Sequence, residues 1–287
     1  MQIKKAVIAV AGFGTRFLPA TKAVPKELFP IINTPILEIL VKELSEAGIE
    51  QICMIISRGK ESILKHFDRN VEVELNLKDK NKTLFDLATS QSKYAKINYM
   101  IQKEPLGFAD AVSLSKDFIG NDPFVLCVGD EVFFGEKSLT TQLIECYERC
   151  GTPCIALCEV SPKETKLYGI ADVDYDSNTL SLKGLVEKPK QNPPSLFANI
   201  GRYVMTPKIF DCIESFRGGA EEINFIDCLN ELIKTCGLNG VVVDGVRFDT
   251  GNKLGFVKAN IFASLKDEEL KNDIMNFMRE IVKLNEV

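Results

Sequence analysis

Apolar positions along the chain keep two rhythms. Short, largely apolar runs at Ala6 to Val10, Gln51 to Ile56, Ile97 to Ile101, Phe124 to Val128 and Ile155 to Val160 have the length of buried strands. Between them the spacing changes to three and four. Leu37, Leu40, Val41 and Leu44 form one stripe along Pro35 to Ala47, and Gly48 closes it, which predicts a helix. Lys60 to Phe67 predicts a shorter one. Residues 71–100 read as an inserted segment, in which Leu75, Leu77, Leu84, Phe85 and Leu87 support broken amphipathic helices. Further on, Gly169 precedes an alternating run, Ser181 to Val186 reads as a strand, and the pattern EINFIDCLNELI reads as a helix. Val241 to Val243 and Val246 to Phe248 flank a turn at Asp244-Gly245. From Asp267 onward Leu270, Ile274, Phe277, Met278, Ile281 and Leu284 share one helical face, which packs on its own domain or, the reading preferred here, on a second subunit. Strands alternating with helices predict an α/β fold. The strand–loop–helix–strand opening is the usual nucleotide-binding half of a doubly wound sheet, with ligand beyond the strand ends.

The loop after the first strand carries the densest chemistry. VAGFGTRFLPATKAVPKELFP holds Gly12 and Gly14, which permit a tight turn and close approach of a ligand to the backbone. Arg16, Lys22 and Lys26 follow at once. Backbone N–H groups and three fixed cations on one loop suit a polyanion, most simply nucleotide phosphates. A dinucleotide fingerprint needs a third glycine near Arg16 and an immediate helix, which Pro19, Pro25 and Pro30 prevent. A P-loop needs Lys and Ser or Thr after its second glycine, and that run is absent. Elsewhere, Gln102 at a strand exit offers both a donor and an acceptor to a pyrimidine edge, and Gly107 permits backbone contact. Asp130 follows the apolar run at 124–128, and Asp249 ends a later one. Both are acids at strand ends, where open α/β sheets bind ligands, and hard oxygen ligands there suit Mg²⁺. Glu131 is a further acid beside the first. Glu187-Lys188 joins an acceptor for sugar hydroxyls to a cation for a sugar phosphate.

Composition narrows the classes. The 287 residues are 45% hydrophobic, enough for one large domain, and the net charge is −5. An acidic background argues against a general nucleic-acid binder, so no nucleic-acid partner is expected. No stretch approaches membrane-spanning length and the start is not signal-like, so a cytoplasmic protein with no membrane partner is expected. Nine cysteines are then most simply reduced thiols. Cys146, Cys150, Cys154 and Cys158 recur every fourth residue, but Gly151 and Pro153 break the segment, so the thiols are expected to scatter rather than hold zinc. The one histidine, His66, lacks a nucleophile motif and reads as a helix-end residue.

GxGTRxLPxTKxxPKE closely resembles the signature loop of the bacterial UTP–glucose-1-phosphate uridylyltransferases, members of the sugar-1-phosphate nucleotidylyltransferases. The resemblance continues through most of the chain. LVEKPK followed by PPSLFANIGRYVM keeps the family's order and near-identical spacing, and FDTGNKLGFVKAN resembles its DxG segment. It implies a Rossmann-like, mixed, mostly parallel sheet flanked by helices, with C-terminal helices. A single domain would span 1–287. Its nucleotide-binding part would cover about 1–135, its sugar-binding part about 136–250, and an oligomerising helical segment about 251–287. The resemblance assigns Ala11, Gly12, Gly14 and Arg16 to the triphosphate, Lys26 to phosphate at the reacting centre, and Gln102 and Gly107 to uracil. It assigns Gly169, Glu187, Asn199 and Gly201 to the sugar, Lys188 to its phosphate, and Asp130 and Asp249 to Mg²⁺. The implied reaction joins UTP and glucose 1-phosphate into UDP-glucose and pyrophosphate, in a homodimer or homotetramer. Phe108, Asp110, Phe225 and Ile226 depart from the family pattern. A thymidylyltransferase, or another pyrimidine nucleotidyltransferase on a different sugar 1-phosphate, is the alternative enzyme. A non-catalytic nucleotide-sugar sensor would lose at least one of Arg16, Lys26, Asp130 and Lys188, and all four are present.

Overall fold

A computed structural model describes residues 2–176, 179–218 and 222–285. The last two residues of the C-terminal segment lie outside it.

Strand β1 (Lys5–Val10) takes a central place in the sheet because every residue from Ala6 to Ile8 is apolar and fully buried. After the glycine loop come two short strands, β2 (Pro30–Ile31) and β3 (Thr34–Pro35), which pair as a small ribbon. Helix α1 (Ile36–Glu46) follows the predicted stripe, and β4 (Gln51–Ser57) returns parallel to β1. Helix α2 (Glu61–Phe67) leads into the inserted segment, which forms two amphipathic helices, α3 (Val71–Leu77) and α4 (Lys82–Thr89). Asn70 and Asn81 cap them by accepting the amides of Val73 and Leu84. The first half closes with β5 (Lys96–Gln102), α5 (Gly107–Ser113), α6 (Lys116–Ile119) and β6 (Phe124–Val128).

The second half starts with β7 (Glu131–Phe134), α7 (Leu139–Cys150) and β8 (Cys154–Glu159). A long hairpin of β9 (Gly169–Asp176) and β10 (Thr179–Glu187) follows, then β11 (Phe197–Met205). Helices α8 (Lys208–Ser215) and α9 (Phe225–Cys236) precede β12 (Asn239–Val242) and β13 (Val246–Asp249). Helices α10 (Lys253–Ser264) and α11 (Lys271–Asn285) end the chain.

Nine strands form one sheet in the order β5-β4-β1-β6-β11-β8-β12-β10-β9, and only β10 and β11 run against the rest. Alternate residues of the central strands enter opposite cores. Val7, Cys53 and Leu126 face one core, which also takes residues of α5, α8 and α9. Ala6, Ile8, Met54 and Val125 face the other, with α1, α2 and α7. Strands buried on both faces read as unbroken apolar runs, which is why they stand out in the sequence.

Two polar residues tie elements of this frame together. Arg202 of β11 is fully buried, and its guanidinium donates to Glu43 of α1 at 2.8 Å and to Thr140 of α7 at 2.7 Å. That one cation ties the sheet to two helices. His66 Nε2 lies 2.7 Å from Glu38 of α1, and Gln91 and Tyr94 donate to the other oxygen of Glu38. The single histidine is thus a clasp between α1, α2 and the inserted segment. The cysteines depart from the expected scatter. Cys146 of α7 meets Cys154 of β8 and lies beside Cys150, while Cys158 stands apart next to Arg247. The helix turns back so tightly at Gly151 that both ends of the break stay together.

Candidate active site

The site grows from the carboxyl ends of β1, β5 and β6, which run in parallel and deliver their following loops to the same side of the sheet. The glycine loop turns at Gly14, whose φ of +66° is open to glycine at little cost, and Thr21 fixes the turn by donating to the Gly14 carbonyl at 2.9 Å. Prolines then cut the loop into three single turns, Thr15–Phe17, Ala20–Lys22 and Lys26–Leu28. Of the three cations expected to converge, Lys26 lines the cleft, whereas Arg16 and Lys22 are exposed on the first two turns. Lys26 Nζ reaches Asp130 Oδ2 at 2.5 Å. Burial alone would lower its pKa, but Asp130, Glu27 and Asp249 together outweigh that and raise it, so the ammonium stays charged.

The next residue points the opposite way. Glu27 is buried beneath the loop, and both of its oxygens accept from Lys60 Nζ, at 2.9 and 2.8 Å. Lys60 also donates to the Val10 carbonyl at 2.6 Å. This buried pair fastens the Lys26 turn to the end of β1. Lys60 had no signal in the sequence beyond its place at a helix start.

Asp130 and Asp249 are 119 positions apart in sequence, yet β7 and β13 pair antiparallel with Asp249 opposite Glu131, which brings the acids together. Thr250 holds the second strand end by donating its amide and hydroxyl to the Asp130 carbonyl, at 2.9 and 2.8 Å. The Gly251 amide donates to Asp249 Oδ1 at 2.9 Å. A Cβ on Gly251 would run into the Asp130 carboxylate and stand 3.0 Å from Asp249 Oδ1, so the glycine leaves open a cradle between the two acids. Two converging carboxylates suit a hard cation that takes its other ligands from phosphate and water. Among the described residues no group of three His, Cys, Asp or Glu side chains is placed to hold a metal by itself. Glu131 is committed elsewhere. Its carboxylate accepts two hydrogen bonds from Arg247, at 2.7 and 2.5 Å, and the Arg247 guanidinium lies 4.9 Å over the Tyr168 ring. Arg247 escaped the sequence reading because no motif marks it.

Two cavities meet here. One of about 320 Å³ is lined by Ala11, Gly12, Lys26, Gln102, Gly107 and Asp130. The other, about 490 Å³, is lined by Gly169, Glu187, Asn199, Tyr203 and Ile226. Phe108 and Val128 line both. Gln102 is only 7% exposed, and its amide nitrogen donates to Gly107 O at 3.0 Å and Asp110 Oδ2 at 2.8 Å. In the second cavity β11 bulges between Asn199 and Tyr203, and Gly201, at φ +70°, presses against Val128 where any side chain would collide. Asn199 spans the bulge, donating to Tyr203 Oη at 2.9 Å and accepting the Gly201 amide at 3.1 Å. Glu187 ends β10 opposite Gly169, and Lys188 Nζ lies 2.7 Å from it. Two of the residues that depart from the family pattern meet: Phe108 and Phe225 pack edge to face at 4.9 Å.

Comparison with known proteins agrees with this layout. The family model described as nucleotidyl transferase matches residues 5–264. A UTP–glucose-1-phosphate uridylyltransferase of Staphylococcus haemolyticus is 40% identical over 284 residues, 98% of this chain and 99% of that one. A UDP-glucose pyrophosphorylase from Acinetobacter baumannii superposes with a TM-score of 0.88 at 34% identity, covering 99% of this chain and 100% of that one. A UTP-bound structure of the enzyme from Acinetobacter baumannii gives 0.87 at the same identity and coverage. The chain therefore belongs to the nucleotidyl transferase family, and within it to the UTP–glucose-1-phosphate uridylyltransferases.

Proposed function

We propose that the protein transfers a uridylyl group from UTP to α-D-glucose 1-phosphate, giving UDP-glucose and pyrophosphate. The observation that carries this reading is the meeting of two cavities at Phe108 and Val128, one bordered by Lys26 and Asp130, the other by Glu187. Two anionic substrates can lie there end to end. A phosphate oxygen of the sugar phosphate attacks the α-phosphorus, a new P–O bond forms, and the bond to the β-phosphate breaks with its electron pair leaving on pyrophosphate. The nucleophile is already an anion, so no strong general base is required, which accords with His66 being spent on Glu38.

The residues then have electrostatic and orienting work. Lys26 neutralises the α-phosphate. Arg16 and the backbone of Ala11, Gly12 and Gly14 take the leaving β- and γ-phosphates. Lys188 holds the attacking phosphate, while Glu187, Asn199 and the backbone at Gly169 and Gly201 hold the sugar. Gln102 and Gly107 hold the base. Asp130 and Asp249 would bind a divalent cation, Mg²⁺ in this reading, which supplies Lewis-acid neutralisation of the phosphates when bound. The test is pyrophosphate release with each nucleoside triphosphate against a panel of sugar 1-phosphates. UTP with glucose 1-phosphate is expected to give the highest kcat/KM, and a higher value for a purine triphosphate would overturn the reading.

A further inference from the structure

Both protons of the Gln102 amide are already spoken for. One goes to Gly107 O at 3.0 Å and the other to Asp110 Oδ2 at 2.8 Å. A backbone carbonyl and a carboxylate can only accept, so the nitrogen must face them and the amide oxygen must face the other way. Gln102 lines the nucleotide cavity while Asp110 stands behind it, on α5. Asp110 is itself held. Its Oδ1 lies 3.8 Å from Arg217 Nη2, and Arg217 is fixed by donating to Ser113 Oγ at 2.5 Å and by lying 3.4 Å from Glu214 Oε2. Carboxylate, amide and guanidinium thus form a relay from the segment after α8 to the cavity wall.

We infer that Asp110 is a specificity-determining positioning residue: it locks the Gln102 amide so that only a hydrogen-bond acceptor is offered to the base, which selects a pyrimidine whose N3 carries a proton. The inference rests on the reading that Gln102 meets the base. Uracil and thymine present N3–H and complete the bond. Cytosine presents a lone pair at N3, so two acceptors would face each other in a site that has lost its water. Without a carboxylate at 110 the amide could turn over at the cost of the Gly107 bond alone, because an asparagine there can supply the NH₂ that the turned amide oxygen needs. The relay leaves discrimination at C5 of the base untouched.

The experiment is steady-state kcat/KM for UTP, CTP and dTTP with glucose 1-phosphate, for the wild-type chain, Asp110→Asn and Asp110→Ala. Wild type should prefer UTP over CTP by about a hundredfold or more. Asp110→Asn should cut that preference by about tenfold, the worth of one charge-assisted hydrogen bond, and Asp110→Ala by a similar or smaller factor. The UTP to dTTP ratio should stay within about twofold throughout, since one methyl far from N3 separates those bases. General damage to the fold would lower all three substrates alike and leave the ratios in place, so either variant that folds gives the answer. An unchanged UTP to CTP ratio in both variants overturns the inference and leaves uridylyl transfer standing. An equal shift in the dTTP ratio also overturns it. A wild-type chain that releases no pyrophosphate from UTP overturns the functional reading, and this inference with it.

Discussion

Lys188 stands at the exit of β10 with φ +43°, a left-handed conformation that costs a non-glycine residue about 1–3 kcal/mol and that recurs at ligand-binding positions. Its side chain is 59% exposed and its amide is tied back to Tyr168 O at 3.0 Å. The backbone is therefore fixed while the ammonium is free to exchange Glu187 for a phosphate. Lys188→Ala is expected to raise KM for glucose 1-phosphate, lower kcat and leave UTP binding nearly unchanged. The loss in kcat/KM should be about 10- to 100-fold, as for a charge-assisted contact, and titrating each substrate separately checks it. Gly251→Ala places a methyl group in the cradle between Asp130 and Asp249. It should reduce turnover by at least about tenfold and raise the divalent-cation concentration needed for half-maximal rate, with the unfolding midpoint little changed. Residues at this scale were legible in the sequence where a string of neighbours marks them. Lys26, Glu187, Lys188 and Asp130 each sit in such a string. Lys60 and Arg247 do not, because what they touch is 33 and 116 positions away, and a single charged residue carries no record of its partner; Asp110 stood out only as a departure from the family pattern, with nothing to say that it would hold Gln102.

Elements show the same division. Strands of the central sheet were readable as unbroken apolar runs because both of their faces are buried, and helix α1 because burying one face imposes a 3.6-residue period. Strands β7 and β13, which bring the two acids together, have only four residues each, and their pairing spans the second half of the chain. The run at Val246 to Phe248 marks the second of them, but a run that short carries no record of the strand it pairs with, which is β7 and not the run before the turn. The inserted helices α3 and α4 were expected, but their anchor was not. They dock through Gln91 and Tyr94 onto Glu38, which also receives His66. Burial would raise the Glu38 carboxyl, but the hydrogen bonds from His66, Gln91 and Tyr94 outweigh it and hold its pKa below the ordinary 4.5. A carboxylate depressed in the folded state adds stability that is complete above its unfolded value and is lost as pH falls through the folded one. Glu38→Gln should thus destabilise the protein by about 1.5–3 kcal/mol near neutral pH, and by progressively less as pH falls below the ordinary carboxylate value. Urea unfolding at a neutral and an acidic pH measures the difference. Equal destabilisation at both would show that the charge of Glu38 is not what anchors the segment.

At the scale of the whole molecule, one sheet carries both halves of the site, so the two cavities keep a fixed relation as long as β6 and β11 stay paired. What the sheet does not organise is the chain's end. Helix α11 runs for 15 residues, and a helix of that length is marginal in water unless one face is buried. Much of its apolar stripe is exposed: Phe277 is 58% exposed and Leu284 72%, with Met278 exposed as well. Ile274 and Met275 are only half-buried. The sequence anticipated this face without fixing its partner, since a stripe reports that something covers it and not what. A second copy of the chain is the partner expected here, because such a stripe extends the apolar surface of a folded body rather than ending in a ligand pocket. Sedimentation of the wild-type chain should then give a dimer or tetramer. Phe277→Asp combined with Leu284→Asp should shift it to monomer and lower the unfolding midpoint. Neither residue lines the two site cavities, so a folded monomer should retain glucose 1-phosphate and UTP turnover within a few fold. A wild-type monomer with α11 protected from hydrogen exchange would instead mean that the stripe folds back onto its own domain.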